Sequence, residues 1–131
     1  MNDVRIRTFE DATRVGAYEL SRRWADSVGK VGRTADGEIQ ELATMAALAH
    51  WLTRWLPTQT HRAALAGADR VTIAAALGVT VEEAAARWSE WARGQRDLYE
   101  ATGRDGKTPI GISAGECAQV AAVLGIPGRR P

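Results

Sequence analysis

Apolar residues return along this chain every three or four positions and nowhere alternate over a useful length, so the pattern predicts helices and no sheet. Thr8 can cap a first helix over about 9–28, with Val15, Tyr18, Leu20, Trp24 and Val28 on its buried side. Gly29–Gly37, with glycines at 29, 32 and 37, reads as a loop. A second helix is expected over 37–56, because Leu42, Met45, Leu48, Ala49, Leu52, Trp55 and Leu56 keep the helical period and Trp51 lies near the same face. Pro57 has no amide proton to continue that ladder, so it should end the helix and open a short one over 57–66, stopped by Gly67.

The next stretch, VTIAAALGVTVEEAAARWSEWAR over 71–93, spells a short helix, a glycine turn and a second capped helix. Ile73, Ala74 and Leu77 form one apolar stripe, and Gly78 follows where a chain leaving a helix often needs positive φ. Thr80 and Glu83 have capping-box spacing, with the hydroxyl on an amide of the new helix and the carboxylate reaching back to the cap. From about Val81 to Glu100 the residues Ala84, Trp88 and Trp91, with Ala85 and Ala92 beside them, make a wide inner stripe. A loop over 103–113 and a last helix over 114–124 complete the chain, the helix opened by Ser113 with Glu116 and stopped by Gly125 and Pro127. The likeness of VTIAAALGV and AQVAAVLGI is read as one helix-stop chemistry used twice. The expected fold is all-α, with five to six helices containing a helix-turn-helix. Its expected divisions are 1–56, a helical and dimerising region, 57–100, the helix-turn-helix, and 101–131, a loop with the last helix.

Through Ile73, Ala74, Leu77, Gly78, Val79, Thr80, Ala84, Arg87 and Trp88, the segment over 70–93 resembles the helix-turn-helix of sigma-factor region 4 and of response-regulator DNA-binding domains. Trp88 stands where those families usually carry leucine. The resemblance implies a transcription regulator whose second helix enters the major groove of double-stranded DNA, with Thr80, Glu82, Glu83, Ala86, Arg87 and Glu90 facing it. Arg70, Arg93 and Arg96 would then lie on the phosphate backbone, with Arg87 as the main base or phosphate contact.

Charge changes this picture. The formal net charge is +1 and the isoelectric point about 8.0, which excludes a polybasic binder. Between Thr58 and Thr108, Arg62, Arg70, Arg87, Arg93, Arg96, Arg104 and Lys107 are balanced one for one by Asp69, Glu82, Glu83, Glu90, Asp97, Glu100 and Asp105. Glutamate can accept from cytosine, and acids suit a helix start, so the balance is compatible with DNA while also motivating an alternative. That alternative is a helical protein-interaction module, such as an adaptor, an antitoxin-like partner or an inhibitor, which binds no nucleic acid.

Other chemistry finds little support. Cys117 is the only cysteine and the start MNDVRIRTFEDA lacks the apolar run of a secretory leader, so a cytoplasmic protein is expected, with no membrane span. His50, His61 and Cys117 fall in three segments without ligand spacing; His50 reads as a core-edge residue, His61 as a surface or cap residue and Cys117 as a small buried thiol. No enzyme, metal or cofactor is expected. GRDGKT over 103–108 has the wrong spacing for a phosphate-binding loop and reads as a surface loop whose Arg104 and Lys107 could touch a backbone. All five tryptophans, at 24, 51, 55, 88 and 91, fall on apolar stripes and are expected in a core or a subunit interface. The first two helices carry more apolar face than a brace needs, which predicts a homodimer built from them.

Overall fold

The computed structural model describes residues 6–28, 34–104 and 106–127. Its regular structure is entirely helical: α1 (Phe9–Thr13), α2 (Ala17–Ser27), α3 (Ala35–Leu65), α4 (Arg70–Leu77), α5 (Val81–Arg104) and α6 (Ala114–Val123). No strand occurs among the described residues. Of the expected 29–37 loop, residues 29–33 lie outside the described residues, as does Asp105 of the 103–113 loop.

Two of the expected boundaries differ. The helix expected over 9–28 breaks into α1 and α2, with Gly16 as an extended N-cap at φ −64°, ψ 151°. Successive residues on a helix turn by about 100°, so Val15 and Leu20 on one unbroken rod would point roughly 140° apart. The break lets both reach a single core with Ile6, Ala12, Ala43 and Ala47. Tyr18 and Val28, expected inside, are exposed, since Leu20 and Ala17 take the inner side of α2 and Val28 has already left the helix in extended conformation.

Conversely, Pro57 does not end a helix but lies within α3. It forfeits one ladder bond to the carbonyl of Thr53, and such an interior proline costs about 3 kcal/mol. Helix continues because the next turns bury Thr60, His61 and Ala64, and packing outweighs propensity.

The chain divides into an amino-terminal unit, Met1–Trp55, and a carboxy-terminal unit, Leu56–Pro131, a boundary inside α3. The first has a small core of Ile6, Ala12, Val15, Leu20, Ala43 and Ala47, with Leu48 and Trp51 packed against it. The second is centred on Trp88, with Ala64, Ile73, Ala92, Ile112, Val120 and Leu124.

Three helix ends in the second unit share one device. Gly67, Gly78 and Gly125 all have positive φ, and after each the chain closes a paired bond set: Ala68 to Ala63, Val79 to Ala74 and Ile126 to Ala121, each beside a bond from the glycine amide. These are Schellman ends, which satisfy carbonyls that the helix leaves orphaned. The repeated ALGV and VLGI words are therefore the same stop used twice.

Candidate nucleic-acid interface

The candidate interface is built by α4, the connection Gly78–Thr80 and α5. Asp69 opens α4 by accepting from the Thr72 amide at 2.8 Å, and hydrogen bonding from that amide holds its carboxyl below the ordinary carboxylate range. Gly78 closes α4 at φ 72°, a left-handed conformation costly for any residue with a Cβ. Thr80 Oγ1 then accepts from the Glu83 amide at 3.0 Å and starts α5.

Only half of the expected box forms there. The Glu83 carboxylate does not return to the cap; it takes Arg87 Nε at 3.0 Å, one turn along. The same diversion occurs at α6, where Ser113 accepts from the Glu116 amide but the Glu116 carboxylate goes to His61. The reciprocal box closes instead at α1, where Asp11 accepts from the amides of Arg7 and Thr8 while Thr8 accepts from Asp11. Those amide donors, led by that of Arg7, hold the Asp11 carboxyl low.

The inner side of α5 is fixed by a polar tie that spacing alone does not reveal. Trp88 is buried and donates its indole N–H to His61 Nδ1 at 3.0 Å, while His61 Nε2 stands 2.8 Å from Glu116 Oε2. An indole N–H can only donate, so Nδ1 accepts and Nε2 carries the proton given to the carboxylate. The imidazole lies nearly parallel to the Trp88 ring, edge to edge with centroids 6.0 Å apart, and tilts against Trp91 at 5.3 Å. His61 is thus buried, not the surface or cap residue expected, and both its nitrogens are engaged in joining α3, α5 and α6. The available signal was its place one turn before the buried Ala64.

With Ala84, Trp88 and Ala92 turned inward, Thr80, Glu82, Glu83, Ala86, Arg87, Glu90 and Arg93 are left exposed at the start of α5 and along its outer side. Arg96 does not join them. Its guanidinium donates to the Ile112 carbonyl at 2.9 Å, pairs with Glu100 and lies over the Tyr99 ring. Nearby, the Ile110 amide donates to Thr102 Oγ1 at 2.8 Å. Gly111, at φ 107°, presses so close to the Gln95 carbonyl that a Cβ could not fit. The carboxy-terminal half of α5 is therefore strapped by the following loop, and its amino-terminal half is open on the outside.

Arg70 lies across Gly125, which has room for it only without a Cβ. Together with Val71, Val81, Glu82, Ala85 and Leu124 they line a surface groove of about 350 Å³. Among the described residues, no cluster of histidine, cysteine and acidic side chains could hold a metal ion, and no helix is long and apolar enough to cross a membrane. Cys117 is half-buried and not bonded to another cysteine; His50 is exposed, edge-on to Phe9 and Trp51. Compared with protein-family models, with curated proteins and with solved structures, the chain gives no match.

Proposed function

We propose that this chain is a sequence-specific DNA-binding transcription regulator in which α4, its glycine turn and α5 act as a helix-turn-helix. One observation carries the reading: the amino-terminal half of α5 is anchored from inside by Trp88 and left bare outside, just after a left-handed turn. A helix presented in this way can enter a major groove. Arg87 is the principal base or phosphate contact, Arg93 and Arg70 touch the backbone, and Glu83 releases Arg87 when DNA takes its place. Arg96 is left out, because its guanidinium holds the loop.

Fluorescence anisotropy with the chain's own upstream DNA and with scrambled duplex tests this reading. The expected result is a preference for the upstream DNA, weakening steeply between about 50 and 200 mM salt as a few condensed counterions are released. Arg87→Ala should cost about 1–3 kcal/mol if it reads a base. Absence of binding at low salt, or binding that salt does not affect, overturns it.

A second reading has its own support: Glu82, Glu83 and Glu90 crowd the same face and Arg87 is already paired, which suits a helical module that binds a protein. Glu82→Gln with Glu90→Gln separates the two. Tighter DNA binding follows from the first reading, and loss of a protein complex with no DNA affinity from the second.

A further inference from the structure

We propose that a second copy of this chain covers the outer face of α3, pairing antiparallel with it along 42–52. The observation is a helix apolar on both sides. Ala43, Thr44 and Ala47 are buried, with Leu48 and Trp51 packed beside them, and this side faces the amino-terminal core. On the opposite side, Ile39 (47% exposed), Leu42 (62%), Met45 (45%) and Leu52 (51%) line up with exposed Ala46 and Ala49. No charged residue interrupts that side from 39 to 53. The spacing 42, 45, 49, 52 alternates three and four, the repeat by which one helix seats along another.

Area and shape both favour a copy of the same chain. The face exposes about 500 Å² of largely apolar surface, the size of the largest patch on a typical soluble monomer, which is often a functional surface. Two copies that covered the whole face would bury about 1,000 Å², the floor for a specific interface, so the pairing is a weak one. Run antiparallel, the face complements itself: Met45 falls opposite Ala49 of the second copy and Leu42 opposite its Leu52, large against small at the centre and large against large outside. The pairing is isologous, so one patch serves both copies and the assembly closes at two. It places the dimer contact on α3 alone, where the sequence pointed to the first two helices together, and it does not depend on the nucleic-acid reading.

Sedimentation velocity of the full chain from about 1 to 300 µM is the first test, with a weak monomer–dimer equilibrium expected within that range. Leu42→Glu, and separately Met45→Glu, should leave the helical circular dichroism unchanged, because both positions are exposed, and should weaken dimerisation at least about tenfold by placing charges against apolar surface. Orientation is read in a Cys117→Ser background with a short bismaleimide. Leu42→Cys mixed with Leu52→Cys should cross-link between copies, whereas Leu42→Cys alone should not, since antiparallel pairing holds its two copies about 15 Å apart along the axis. A chain monomeric throughout, a dimer indifferent to both glutamates, or self-cross-linking of Leu42→Cys overturns the proposal.

Discussion

Two tryptophans summarise the difference between the two units. Trp88 gives its indole N–H to His61 in the middle of the carboxy-terminal core, and Glu116 completes the chain of bonds. Trp51, packed against the amino-terminal core, keeps its indole nitrogen buried with no hydrogen-bond partner among the described residues, and its neighbour Trp55 is half-exposed. One unit buries its central indole and satisfies it. The other buries Ile6, Val15 and Leu20 among Ala12, Ala43 and Ala47, and leaves Ile39, Leu42, Met45 and Leu52 outside along one side of α3. Equal hydrophobic periodicity thus produces a satisfied indole in one core, and in the other unit a helix whose second apolar side stays exposed.

The largest expected effect breaks this comparison at two leucines. Leu20→Ala should cost about 2–5 kcal/mol, because it empties a fully buried site of the amino-terminal core. Leu42→Ala should move monomer stability by less than about 0.5 kcal/mol, because water already wets that side chain. Urea unfolding at low micromolar concentration measures both.

Next come the indoles themselves. Trp88→Phe leaves His61 Nδ1 buried without its donor and should cost at least about 1–3 kcal/mol. Trp51→Phe discards a donor that had no partner, so its loss should be less than half as large; the same unfolding assay ranks the two.

A smaller contrast sharpens the picture within the second unit. Gly78→Ala forces a Cβ into a left-handed conformation and should destabilise by about 1–2 kcal/mol. Gly94→Ala, inside α5 with open space around it, should stabilise by about 0.5–1 kcal/mol through helix propensity. Thermal melts suffice to separate the signs.

The smallest effect is electrostatic. Asp11 and Asp69 cap α1 and α4 with carboxyls held below their ordinary range, so each binds protons more weakly folded than unfolded. Their stabilisation is therefore present above the ordinary carboxylate value and lost as pH falls through the lowered one. Asp11→Asn with Asp69→Asn should flatten that acid limb in a stability-against-pH series, by lowering the neutral plateau slightly and converging with the parent chain at low pH.

Much of this was legible in the chain, and particular residues show where legibility stopped. Gly67, Gly78 and Gly125 mark three helix ends where the chain turns, since a left-handed stop is a local backbone demand that glycine meets cheaply. The inner stripe Ala84, Trp88 and Ala92 follows from period alone. By contrast, Pro57 reads as a stop and Gly16 does not, yet the helix breaks at Gly16 and runs through Pro57. Both outcomes depend on which distant side chains share a core, and a few kcal/mol of packing decides against local preference.

The candidate interface divides in the same way. The outward placement of Glu83, Ala86, Arg87, Glu90 and Arg93 follows from helical geometry, whereas the inward turn of Arg96 depends on a carbonyl sixteen residues away. The capping spacing recurs at Thr8, Thr80 and Ser113, and only the fold settles whether the carboxylate returns to its cap, pairs with Arg87 or crosses to His61.

By itself, then, the sequence determined which segments coil, where most of them stop and which of their sides repel water, because these are properties of neighbours a turn apart. Only the tertiary structure decided which apolar side is covered, which carboxylate meets which cation and which histidine is buried. Those outcomes turn on partners far along the chain, whose meeting no local pattern encodes.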